Sequence, residues 1–117
     1  MSLIRADRDQ VLAALLEAVV NAANAANAAD APMRVVLSAA TAGQAVRLTV
    51  RDDGPGMDPP TLQRAFTPFF SQQRAGRRRG LGLPKARRWI QNNGGRMWIR
   101  SRPGRGTCVV CELPAPT

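Results

Sequence analysis

The stretch VRDDGPGMD, residues 50–58, decides how this chain is read. Val46, Leu48 and Val50 alternate with polar residues ahead of it, as in a half-buried strand, so the Asp52 carboxylate is expected at a strand end where a pocket can open. Gly54 and Gly56 follow before Met57, and the lack of a Cβ lets backbone approach a flat ligand closely. A carboxylate in that slot accepts a hydrogen bond from an exocyclic amine, which adenine carries and guanine lacks at the matching position. By itself D-x-G-x-G is also ordinary strand-to-turn punctuation, so the purine reading needs support elsewhere.

Upstream, LLEAVVNAANAA (residues 15–26) lies inside a long Ala-rich helical pattern. Leu12, Leu15, Leu16, Val19, Val20 and Ala23 follow helical spacing and are expected to form its buried face. Glu17, Asn21 and Asn24 fall at i, i+4 and i+7 and make one polar stripe. An amide oxygen can complete the shell of a magnesium ion held by nucleotide phosphates, and a carboxylate one turn away can act as a base. The competing reading is a solvated helix face.

Downstream, GRRRGLGLPKARRWIQNNGG (residues 76–95) runs from a Gly-Leu-Gly-Leu segment into a helix. Pro84 suits a first helical turn, where its missing N–H would have no partner. The N–H groups about Gly80 and Gly82 would face phosphate oxygens at the positive helix end. Ala86, Trp89, Ile90 and Asn93 share one side, and Asn93-Gly94-Gly95 supplies a left-handed stop. Neither G-x-G-x-x-G nor the P-loop pattern is present.

Together these residues resemble the GHKL superfamily of ATP-binding domains, most closely the catalytic ATP-binding domain of bacterial sensor histidine kinases. The N box is similar to Glu17 through Asn21, the first glycine box to Asp52, Gly54 and Gly56, the F box to FTPFFS from Phe66, and the second glycine box to Gly80-Leu81-Gly82-Leu83. Residues 94–114 are similar to the closing hairpin, with Pro103-Gly104, Gly106 and Thr107 at its turn. The short stretch before the second glycine box resembles nitrogen-regulator-type kinases with a compact ATP lid. The resemblance implies a Bergerat-type α/β two-layer sandwich, with a mixed, mostly antiparallel sheet and helices on one face. It implies ATP with Mg2+ bound by Asn21, Asn24, Asp52, Gly54, Gly56, Met57, Phe66, Gly80, Leu81, Gly82, Leu83 and Thr107, with Asn21 as the magnesium ligand.

Departures from the family's pattern bear on chemistry. Glu17 stands where many such kinases carry asparagine and is similar to the gyrase, mismatch-repair and anti-sigma branches, which makes a general-base role plausible. Asn24 and Gln72-Gln73 replace residues that are often basic. Arg77, Arg78 and Arg79, in the lid, are therefore candidates to reach phosphate through forked donors, or are simply a solvated charge run.

Composition agrees with one modest core. The 117 residues are 44% hydrophobic and carry a net charge of +9, with aromatics at 4%. The charge is spread from Arg5 to Arg105 and stacking aromatics are scarce, so nucleic-acid binding is not expected. Cys108 and Cys111 lie three apart on a strand and point to opposite faces, which disfavours a disulfide or shared metal. We expect a reduced, cytoplasmic module without direct membrane contact.

The elements are expected as a short strand at 3–6, a helix at 8–27, a hairpin of 33–38 with 45–50 turning at Thr41-Ala42-Gly43, and a short helix at 59–65 capped by Asp58. A lid at 69–79, mobile without nucleotide, a helix at 80–93, and strands at 96–101 and 107–113 follow. The chain has no histidine, so it is read as a single domain, residues 1–117, excised from a longer kinase. Its expected partners are a separate dimerisation domain bearing the phosphoacceptor histidine and a downstream response regulator. The alternatives are a self-contained GHKL ATPase or anti-sigma-type serine kinase using Glu17, and a non-enzymatic nucleotide- or nucleic-acid-binding module.

Overall fold

The computed structural model describes residues 7–29, 32–66 and 82–114. Helix α1 spans Arg8–Ala29, uninterrupted by glycine or proline, and Asp7 caps it by accepting the Gln10 N–H at 3.1 Å. Strands β1 (Val35–Ala42) and β2 (Ala45–Asp52) follow, then the short α2 (Pro59–Gln63), α3 (Gly82–Asn92), β3 (Arg96–Ser101) and β4 (Thr107–Pro114). The sheet order is β1-β2-β4-β3, and each pairing is antiparallel among the described residues. The helices α1 and α3 pack together over one face, giving the expected two-layer α/β sandwich. The expected strand at 3–6 and the lid lie outside the described residues.

The β1–β2 hairpin turns at Gly43-Gln44, with Ala42 opposite Ala45, one step later than the spacing suggested. Gly43 has φ 65°, so it must occupy the two-residue loop itself and Thr41 and Ala42 join the strand. Asp58 caps α2 as expected, accepting the Thr61 N–H at 2.9 Å. Helix α3 is described from Gly82, the expected positions 80 and 81 lying outside the described residues, and it ends in a Schellman motif. There the Gly95 N–H reaches the Ile90 carbonyl, the Gly94 N–H reaches that of Gln91, and Gly94 has φ 79°.

The expected buried face of α1 is corrected. Leu12 and Leu16 are 56% and 61% exposed, and Ala23 is exposed as well, whereas Val11, Ala14, Ala18 and Ala22 are buried. Leu15 and Val19 pack partly against the core, as anticipated. Alanines at i, i+4 and i+8 offer a smooth strip on which α3, through Ala86 and Ile90, can lie close. Because α1 is apolar around most of its circumference, periodicity alone did not choose between the leucine strip and the alanine strip.

On the sheet, Val50, Val109, Cys111, Leu113 and Met97 complete the core under the helices. Cys111 is 1% exposed and burial pushes its thiol up to about 11, while Cys108 faces the opposite side and both are free. Asn93 ties the helices at one end: its side-chain Oδ1 accepts the Asp7 N–H at 2.7 Å, and its Nδ2 donates to Gln10 Oε1 and the Trp89 carbonyl. No helix among the described residues is long and apolar enough to cross a membrane.

Candidate functional site

Asp52 is the last residue of β2 and only 8% exposed, although it carries a carboxylate. Its Oδ1 accepts the Gly54 N–H at 2.9 Å, and the Thr107 N–H also bonds to the carboxylate. Burial outweighs these bonds, and with the adjacent Asp53 it raises the Asp52 pKa above the ordinary aspartate value. Asp53 does a different job: exposed, it accepts the Arg34 N–H at 2.7 Å and anchors the approach to β1. The two consecutive aspartates thus separate into one enclosed group and one turn clamp.

The segment after Asp52 is fastened to the β3–β4 turn. Met57 N–H donates to Ser101 Oγ at 2.8 Å, Ser101 donates to the Gly106 carbonyl at 2.8 Å, and Gly104 N–H reaches the Pro55 carbonyl at 2.7 Å. Ser101 Oγ also lies 2.9 Å from Thr107 Oγ1. A serine has one hydroxyl proton, which goes to Gly106, so the Thr107 hydroxyl is the donor in this last bond. Thr107, 8% exposed, is therefore held on both its backbone and its side chain beside Asp52.

The glycines are points of close approach within the fold itself. A Cβ on Gly54 would meet the Met33 side chain, and one on Gly56 the Arg102 carbonyl. Gly106, with φ 75°, is likewise closed in by the Asp52 carbonyl. These positions permit close approach of chain to chain at the Asp52 end of the sheet. Ser101 and Met33 were missed by sequence reasoning. A serine six residues before a threonine in a Pro-Gly turn is the signal that could have flagged Ser101, whereas Met33 carried none.

Glu17 and Asn21 stand one turn apart on α1, both partly buried, and Glu17 Oε2 is shielded from solvent. They belong to the helix layer, whereas Asp52 and Thr107 stand at strand ends. The side chain of Asn24 lies outside the described part, as do Arg77, Arg78, Arg79, Gly80 and Leu81. Gly82 stands in the first turn of α3, and the Leu83 side chain is 7% exposed within the core. Phe66 packs against the core with the Arg87 guanidinium 4.3 Å from its ring centroid, so the end of the α2 segment is pinned to α3.

Residues 6–117 match the family model described as histidine kinase-, DNA gyrase B-, and HSP90-like ATPase. The chain is 38% identical over 108 residues to the sensor protein kinase FleS of Pseudomonas aeruginosa, covering 92% of this chain and 26% of that protein. It thus spans about a quarter of that relative's length. Among solved structures, the catalytic domain of the histidine kinase ThkA superposes with a TM-score of 0.78 at 28% identity, covering 95% of this chain and 70% of that one. Full-length ShkA in complex with AMPPNP superposes with a TM-score of 0.84 at 29% identity, covering all of this chain (100%) and 24% of ShkA.

Proposed function

Since the chain belongs to the family of histidine kinase-, DNA gyrase B- and HSP90-like ATPases, we propose that it binds ATP with magnesium and delivers the γ-phosphoryl group to a histidine on a separate dimerisation domain. The acceptor must come from elsewhere because this chain has no histidine. In a two-component system the phosphoryl group then passes to a response regulator.

The observation that carries the reading is the enclosed Asp52 carboxylate, braced by Gly54 and Thr107 at the end of β2. A buried carboxylate kept at a strand end is costly unless it meets a donor, and the adenine exocyclic amine is such a donor. The reading is supported by AMPPNP in the ShkA complex, a relative in fold and sequence. On α1, the partly buried Asn21 supplies an amide oxygen, a donor of the kind magnesium prefers. Bound magnesium would neutralise phosphate charge. Asn21 would hold and orient that ion, Gly82 and the Leu83 backbone would face phosphate oxygens at the start of α3, and the packed Phe66 would help close the pocket.

The test is calorimetry with Asp52→Asn, which keeps the shape and removes the charge. ATP affinity should fall by about 1.5–3 kcal/mol, the scale of a hydrogen bond to a charged group. Unchanged ATP affinity would remove Asp52 from the adenine site.

Glu17 favours a second reading. A shielded carboxylate on the polar stripe suits a base that deprotonates a serine hydroxyl or a water, as in a serine kinase or a self-contained ATPase. Asn21→Ala should abolish the magnesium-dependent part of ATP affinity, while Glu17→Gln should keep binding and lose turnover. Equal, small effects from both substitutions would return the stripe to a solvated helix face.

A further inference from the structure

The sheet face turned away from the helices carries three cross-strand rows on β2, β4 and β3: Arg47–Glu112–Arg96, Thr49–Val110–Trp98 and Arg51–Cys108–Arg100. In the first row one carboxylate serves two guanidinium groups, at 2.7 Å to Arg47 and 2.6 Å to Arg96. Both guanidinium groups also lie over the Trp98 ring, 5.6 and 5.2 Å from its centroid. The third row contains no acid. Arg51 and Arg100 flank the Cys108 thiol, and Arg102 and Arg105 of the β3–β4 turn extend the same end. Among the described residues none of these four side chains has an ion pair or hydrogen bond. They line one open groove of about 710 Å³, in which Val110 and Leu62 supply apolar surface. The acid among its lining residues is Asp52, already engaged by the N–H groups of Gly54 and Thr107.

We propose that this groove docks an acidic polypeptide segment of a partner. Uncompensated guanidinium groups at the end of a sheet repel one another, and a carboxylate that accepts two forked N–H bonds relieves that repulsion with defined geometry. Neighbouring strands lie about 4.8 Å apart, so Arg51 and Arg100 stand roughly 10 Å apart across β4. That span matches carboxylates three residues apart in a polyproline-II-like segment, whose three-residue repeat puts them on one side about 9.3 Å apart. The apolar groove surface beside the arginines takes aliphatic side chains between those carboxylates, a chemistry a polypeptide has and a phosphodiester backbone lacks. Nucleic acid is the weaker fit, because base stacking needs an open aromatic face and Trp98 is already covered by Arg47 and Arg96. A second copy is disfavoured by the net charge of +9, and this chain's own eight acidic residues include no run longer than Asp52-Asp53. The groove borders the proposed adenine site at Asp52 and Thr107, but the peptide readout involves no nucleotide, so peptide docking can fail while ATP binding holds, and the reverse.

The experiment uses this chain and a labelled peptide with glutamate at every third residue and valine and proline between as probe, read by fluorescence anisotropy. Arg51→Glu with Arg100→Glu should weaken binding about tenfold, while Arg34→Glu with Arg88→Glu, the same change in net charge, should weaken it less than about threefold. In a Trp89→Phe background the peptide should shift the emission of Trp98, the remaining tryptophan. Circular dichroism and the thermal unfolding midpoint should be the same in both double variants, which separates groove loss from misfolding whether or not ATP binds. Equal losses from the two double variants, or an unmoved Trp98 emission, would reduce the effect to diffuse charge and overturn the proposal. Tighter binding of oligothymidylate than of the peptide, lost with Arg51 and Arg100, would overturn it in favour of nucleic acid.

Discussion

Asp52 is the residue at which stability and the proposed binding pull in opposite directions. Its pKa is raised in the fold, chiefly by burial, so the folded protein holds the proton more tightly than the unfolded chain does. The stabilising share of that proton is complete below the unfolded value of 3.8 and disappears as pH rises through the elevated folded value. At neutral pH the ionised group is therefore a net cost to the nucleotide-free fold. Asp52→Asn should leave the nucleotide-free protein at least as stable as wild type at pH 7, with the difference shrinking toward pH 3, as followed by urea denaturation across pH. Wild type gaining on the variant as pH rises would mean that the Gly54 and Thr107 bonds outweigh desolvation. The singling out of Asp52 over Asp53 was legible in the alternation of Val46, Leu48 and Val50. The bracing by Ser101 was not, since that serine meets Met57 across 44 residues of chain.

At the scale of elements, α1 shows how a helix can be correctly assigned and wrongly turned. Its pattern admits a leucine strip and an alanine strip, and the one that wins is set by how near α3 can come. Ala18, 1% exposed, sits where added volume has no room, whereas Leu16 at 61% has solvent beside it. Ala18→Leu should therefore cost about 1–3 kcal/mol through overpacking, and Leu16→Ala no more than about 0.5 kcal/mol. Chemical denaturation of both variants checks the orientation, and a larger loss at Leu16 would reverse it. The same scale explains the glycines of the Asp52 loop. Gly54 makes room for Met33 and Gly56 for the Arg102 carbonyl of the β3–β4 turn, so both let the loop lie close to its neighbours.

For the whole molecule, the proposed phosphoryl transfer depends on an acceptor placed in line with the γ-phosphorus, and most of such catalysis is positioning and electrostatics. This chain should bind ATP with magnesium and show no acid-labile self-phosphorylation, because it contains no histidine. Added to its cognate dimerisation domain, it should phosphorylate that histidine in trans, slowly, since tethering and its high effective concentration are absent. Radiolabelled ATP with acid and base stability of the product provides the measurement. Acid-stable phosphoserine on a partner, with the histidine unmodified, would transfer the assignment to the reading that Glu17 favours.

Local chemistry in the sequence was sufficient for the alternating strands, the Asp58 cap, the Asn93-Gly94-Gly95 stop and the opposed faces of Cys108 and Cys111. Each depends on residues within about one turn or one strand of one another, where period and side-chain type act directly. Tertiary structure alone decided the face that α1 buries, the role of Gly54, Gly56 and Gly106 as close-approach points, and the gathering of Arg51, Arg100, Arg102 and Arg105 around one groove. Those features arise from β4 lying between β2 and β3 and from two helices meeting over the sheet. Such contacts join residues far apart in the chain, and sequence spacing carries no record of which surfaces come within van der Waals distance.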